Sequence, residues 1–163
     1  MKGVVLSIRN LSTVALVVPE SGTIEWLQTG PWLNQHDVND LGDGRFSIFG
    51  NDSVRPTGKI LEDGYSEIYV FTPAGKRVEM PYTKAMTAAG VRALTEGLVT
   101  VLDNGDAFVE ESTRDRLLRI SREGVRWEYV SPAVVGTTGA LHWSRHLPRP
   151  SVDLRRIKER KYD

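Results

Sequence analysis

Cysteine is missing from this 163-residue chain altogether, which removes any disulfide framework and any thiolate-ligated zinc site from consideration. Charge of one sign is missing too: Lys and Arg number 21, Asp and Glu also 21, and the formal net charge is zero. That balance supplies no electrostatic reason for a nucleic-acid or anionic-membrane partner. No apolar run is long enough to span a bilayer, and the start Met1-Lys2-Gly3-Val4 lacks the apolar core and cleavage site of a signal peptide. The chain by itself therefore sets the expectation of a cytoplasmic protein. Histidine is scarce, with only His36, His142 and His146. What is present is 40% hydrophobic residues, no low-complexity tract, and a length that suits one folded domain.

The apolar residues come in short runs. Gly3 to Ile8 and Thr13 to Val18 are rich in β-branched residues and bounded by turn formers, which reads as two strands. Thr23 to Leu27 alternates, and Gly30-Pro31 breaks the chain after it. Further strands are expected at Glu67 to Thr72, Lys76 to Met80, Leu98 to Leu102, Asp106 to Glu110, Arg116 to Ile120 and Val125 to Tyr129, and another at Leu141 to Arg145. Pro81 to Gly90 suits a short helix or a loop equally well. Ser151 to Lys158 reads as a helical turn or two within a basic tail.

The stretch from Gln35 to Arg55 reads as a hairpin turning at Asp43-Gly44, with Phe46, Ile48 and Gly50 alternating out of the turn. Its polar residues collect at the two ends: Gln35, His36 and Asp37 before the hairpin, Asn51, Asp52 and Arg55 after it. Antiparallel pairing sets these ends side by side. An imidazole next to a permanent guanidinium is a plausible anion site.

A recurring unit, strand, Gly-containing turn and short strand with a bulky residue, appears around Gly22, Gly75 and Gly124. A second unit, Leu-x-Asp/Asn-Gly followed by an alternating strand, appears at Leu41 and again at Leu102, with Arg55 and Arg116 at the same offset. Repeats of four short antiparallel strands are the mark of propeller blades. The expected fold is all-β: a partial β-propeller of about three four-stranded antiparallel blades over residues 1–150, with a short helical, basic tail at 151–163. Apolar blade-face residues such as Ile48, Val70, Phe108 and Leu118 are expected to be exposed in so short a propeller and to drive association. Completion of the ring is expected from a second copy, as a homodimer, or from further N-terminal blades.

The pattern Gln35-His36-Asp37, Asp43-Gly44, Phe49-Gly50-Asn51 and Arg55 resembles the Gln-His, Phe-Asp-Asn-Gly and Arg signature of the arylsulfotransferase (aryl-sulfate sulfotransferase) family. Leu102 to Asp106, Gly124 to Glu128 and Leu141 to Arg145 resemble its last blade and closing segment. The resemblance implies the C-terminal half of a six-bladed propeller. It also implies sulfuryl transfer from an aryl sulfate to a phenolic acceptor through a transiently sulfated histidine, without a nucleotide sulfate or other cofactor. It implies catalytic roles for His36 and Arg55, substrate contacts for Gln35, Asp37 and Asn51, and a periplasmic or secreted setting. The sequence departs from the signature at Phe49-Gly50-Asn51-Asp52, and no histidine lies between Asp37 and Leu141.

Other readings stand beside these. His36 also suits a strand cap, Arg55 a surface ion pair, and Asn51 and Asn104 turn positions. His142 and His146 have a spacing that suits a metal only on a helix. Trp26, Trp127 and Trp143 suit packing between blades. A non-catalytic propeller module that binds a protein or carbohydrate is the alternative function.

Overall fold

A computed structural model describes residues 3–52, 65–132 and 141–147. Arg55, the remainder of the excursion after Asp52 and the basic tail at 151–163 lie outside the described residues.

Three antiparallel meanders make up the fold. The first sheet runs β1 (Val4–Ile8), β2 (Thr13–Val18), β3 (Thr23–Thr29); the second β4 (Asp37–Asp40), β5 (Phe46–Gly50), β6 (Glu67–Thr72), β7 (Arg77–Glu79). The third runs β8 (Leu98–Val101), β9 (Ala107–Glu111), β10 (Arg116–Ile120), β11 (Val125–Val130). A short α-helix, α1 (Thr83–Ala88), links the second sheet to the third. This is a partial, propeller-like all-β fold. Its first sheet has three strands, not the four expected of every blade.

The sheets stack face to face, and the side-chain alternation of the middle sheet explains why. Every residue of β5 is buried. Ile48 faces the first sheet and packs with Val14, Trp32, Tyr69 and Phe71; Phe49 faces the third and packs with Ile68, Val99, Val109, Leu118 and Ile120. Trp26 lies with its ring centroid 5.1 Å from that of Phe46 and 5.6 Å from that of Phe71, so it does pack between sheets. On α1, Ala85 and Met86 close one end of the core between the second and third sheets.

Burial corrects the expected exposure of the blade faces. Ile48, Val70, Phe108 and Leu118 are all buried. Ile48 and Leu118 fall between sheets. Exposed apolar residues lie instead on the outside of the first sheet, where Val4, Leu6 and Ile8 of β1 share a side with Ile24 and Leu27 of β3, and along β11 at Val125, Trp127, Tyr129 and Val130.

The connection between β4 and β5 is longer than a two-residue turn. Segment 41–45 closes through the Leu41 N–H, which donates to the Arg45 carbonyl at 2.9 Å. Gly42 and Gly44 take φ of +87° and +80°, a region open to glycine, so two left-handed positions are needed and not one tight pair. Segment 102–106 closes in the same way between β8 and β9, with Leu102 N–H on the Asp106 carbonyl at 2.8 Å.

Candidate functional site

β4 and β8 are the first strands of their sheets and lie beside one another. Asp37 Oδ2 accepts the Val99 backbone N–H at 3.0 Å, and Asn39 Nδ2 donates to the Val99 carbonyl at 2.9 Å. His36 directly precedes β4 and Gly97 directly precedes β8. The pairing therefore brings both to the same end of the stack. The extended segment 141–147 crosses the outer face of the third sheet there, with His146 against Phe108 at a ring-centroid distance of 5.9 Å. It is not a regular strand. A cavity of about 370 Å³ results, lined by His36, Glu96, Gly97, Leu98, Glu110, His142 and Trp143.

Each wall has an identifiable cause. Glu110 and Glu111 point to opposite faces of β9, as adjacent strand residues must. Glu110, buried, takes the Trp143 N–H at 3.2 Å on one oxygen and the Ser144 N–H at 2.6 Å on the other. Trp143 sits at φ +62°, a left-handed conformation that is costly for a bulky residue. The carboxylate clamp holds that bend and so holds His142 beside the cavity. The ring of His142 is tied separately, with Nδ1 2.8 Å from Glu96 Oε2. His36 is half-buried; its backbone N–H donates to the Phe49 carbonyl at 3.0 Å, and its buried Nδ1 meets no hydrogen-bond partner among the described residues. Among the described residues no three His, Asp or Glu side chains come together as metal ligands.

Gly97 is a steric requirement. Its φ is +130°, and a Cβ there would stand 2.5 Å from the Phe49 ring. Gly97→Ala should cost roughly 1–3 kcal/mol through overpacking and strain, seen as a lower denaturation midpoint; an unchanged midpoint would show that Phe49 yields freely.

The polar residues around His36 bond to the scaffold, although Gln35 Oε1 and Asn51 Oδ1 are buried with no hydrogen-bond partner among the described residues. Gln35, fully buried, donates through Nε2 to the Thr13 carbonyl at 2.8 Å and Ser7 Oγ at 3.2 Å, which ties the first sheet to the second. Asp37 is the clip onto β8. Asn51, also fully buried, donates to the carbonyls of Ala93 and Glu96, both at 2.8 Å, and so fixes the backbone that carries Glu96. Of the residues read from the sequence as site candidates, His36 lines the cavity, Gln35, Asp37 and Asn51 brace it, and Arg55 is outside the described residues. The spacing of His142 and His146 suits a metal only on a helix, and segment 141–147 is not helical: His142 borders the cavity while His146 packs on Phe108. The clue available in the sequence was the closing-segment pattern from Leu141 to Arg145.

Asp52 locks the loop that leads into His36. Its N–H donates to the Leu33 carbonyl at 2.9 Å, its Oδ1 accepts the Leu33 N–H at 3.0 Å, and Tyr69 O–H donates to Oδ2 at 3.1 Å. Burial pushes its pKa up from 3.8 to about 6, against the lowering effect of the bonds from Leu33 and Tyr69; Glu67 adds to the rise and Arg92 opposes it. A raised folded-state pKa means that the native state binds the proton more tightly than the unfolded chain. The stabilisation is complete below the unfolded value and is lost as pH rises through about 6. The size is of the order of 3 kcal/mol. Glu67, raised mainly by burial, acts in the same direction. Asp52→Asn keeps an acceptor for Leu33 and a partner for Tyr69. It should flatten the fall in stability between pH 4 and 6 and raise the melting temperature at neutral pH; an unaltered pH slope would contradict the assignment.

The stacked meanders and the cavity at the end of their first strands define a propeller-like protein with a histidine-lined site near the inner strands. The chain matches the arylsulfotransferase (ASST) family over residues 1–131. It belongs to that family. Comparison with curated proteins and with solved structures finds no match.

Proposed function

We propose that the cavity transfers a sulfuryl group from an aryl sulfate to a phenolic acceptor, with His142 as nucleophile and His36 and Arg55 holding the sulfate oxygens. The supporting observation is the convergence of His36 and His142 on one cavity in a chain of the arylsulfotransferase family. A neutral imidazole carries a lone pair at physiological pH and is a competent nucleophile. The His142 Nε2 lone pair attacks sulfur, the bond from sulfur to the phenolic oxygen breaks, and the electron pair leaves with the phenolate. The acceptor phenolate then attacks sulfur, and the pair in the N–S bond returns to Nε2. The cavity wall carries two carboxylates, Glu96 and Glu110, so an anionic substrate needs a cation; Arg55 has that role in this reading. Its guanidinium spreads charge over several sulfate oxygens. Trp143 offers a face against which an aryl ring can pack. Further blades, from a second copy or a longer polypeptide, would cover the apolar outer face of the first sheet.

The test is binding before chemistry. Inorganic sulfate should raise the melting temperature in two parts, a saturable one at low concentration from binding to the native state and a general salt effect at high concentration. His36→Ala and Arg55→Ala should each lose the saturable part and keep the general one. If both variants respond as the parent does, these residues do not hold the anion.

A further inference from the structure

We infer that Glu96 is a positioning residue for His142, fixing the imidazole in the tautomer protonated at Nδ1 and unprotonated at Nε2. The inference deepens the sulfuryl-transfer reading and rests on it for its functional meaning, while its geometry stands alone. Glu96 Oε2 lies 2.8 Å from His142 Nδ1. An ionised carboxylate is only an acceptor, so at that distance the proton belongs to Nδ1. In a neutral imidazole the second nitrogen then keeps its lone pair, because the hydrogen bond at one nitrogen decides the state of the other. A nucleophile turned and held by a third group is the recurring arrangement of activated side chains.

The surroundings reinforce the contact. The backbone of Glu96 is held by Asn51, which donates to its carbonyl at 2.8 Å. The backbone beside His142 is held by Glu110 through the Trp143 and Ser144 N–H groups. Both partners of the Glu96–His142 contact thus sit on anchored backbone, even though their side chains are 46% and 41% exposed. Chemistry adds a second reason for the carboxylate. Attack through Nε2 with Nδ1 still protonated leaves a positively charged ring bearing an anionic sulfuryl group, and Glu96 is the counter-charge to that ring. The sulfuryl group is handed on and no other co-reactant is needed.

The deciding experiment is nitrogen-15 NMR of the histidine rings of the whole chain at a pH where His142 is neutral, with the His142 signals assigned by their loss in His142→Ala. The parent should show Nδ1 protonated and Nε2 bare. Glu96→Gln, which keeps an acceptor oxygen, should retain that state; Glu96→Ala should shift the population toward protonation at Nε2. Because Glu96 is half-exposed, all variants should fold, which their melting temperatures check. With an aryl sulfate and phenol, Glu96→Ala should lower kcat by roughly 10–10²-fold with KM little changed, and Glu96→Gln should recover part of the loss. A parent protonated at Nε2, or the same tautomer in Glu96→Ala as in the parent, overturns the inference. The two readings fail separately: no turnover by the parent together with the tautomer shift removes sulfuryl transfer and leaves the Glu96 assignment, while turnover without the shift removes Glu96.

Discussion

Arg116→Leu is expected to cost roughly 3–5 kcal/mol of folding stability, the scale for breaking a buried ion pair by removing one partner. Glu111 is fully buried on the inward face of β9. One of its oxygens accepts the Arg92 backbone N–H at 2.6 Å and the other is paired with Arg116 Nε. Arg116, whose side chain is 11% exposed, also donates to Glu128 and to the Ala89 carbonyl, both at 2.8 Å. Leucine would fill part of the space but leave a buried carboxylate without its Arg116 counter-charge, with the Arg92 N–H and Arg114 at 3.8 Å beside it. Domains have a net stability of about 5–15 kcal/mol, so such a loss is a large share of the whole. The double variant Glu111→Gln with Arg116→Leu should be more stable than Arg116→Leu alone, because glutamine keeps an acceptor for the Arg92 N–H without a charge. Chemical denaturation of the four proteins in this cycle checks both statements; a double variant no better than the single would show that charge burial is not the source of the loss.

His142→Ala should abolish sulfuryl transfer, with a fall of about three orders of magnitude or more in turnover, the scale on which loss of a nucleophile registers. Folding should be little affected, since the side chain is 41% exposed and its ion pair is a half-exposed one. His36→Ala should also lose turnover, but its loss should extend to the saturable sulfate protection. The assay is the release of a chromogenic phenol from its sulfate, stimulated by an acceptor phenol. Undiminished acceptor-dependent release by His142→Ala would move the nucleophile elsewhere.

The fold was legible because its signals are local. β-branched runs separated by Gly, Asn and Asp turns place all the strands of the second and third sheets close to where they stand, and the Leu41 and Leu102 units do end in loops of one kind. β5, Phe46-Ser47-Ile48-Phe49-Gly50, carries Phe46 and Ile48 on one face and Phe49 on the other, and apolar residues on both faces are what a strand buried on both sides requires. What the sequence hid is tertiary. Ile48 and Leu118 look like free blade faces until the neighbouring sheets are in place. Arg55 and Arg116 share an offset, yet the burial of Arg116 against Glu111 depends on a register that no spacing specifies. Gln35, Asp37 and Asn51 carry polar groups suited to a ligand, and only the stacking of the sheets reveals that the Gln35 and Asn51 amide N–H groups and the Asp37 Oδ2 also brace the scaffold. His142 is far from His36 in sequence, and what brings it to the cavity is the clamp of Glu110 on a left-handed bend.

The central claim, that His142 accepts the sulfuryl group, is tested most directly by trapping. The protein would be mixed with an aryl sulfate in the absence of an acceptor, quenched at alkaline pH where a sulfated imidazole survives, digested, and read by mass spectrometry. The account predicts a gain of one SO3 group on the peptide that contains His142, absent in His142→Ala and cleared when phenol is added before the quench. A gain confined to another peptide, or turnover of the aryl sulfate with no covalent gain at all, would contradict it.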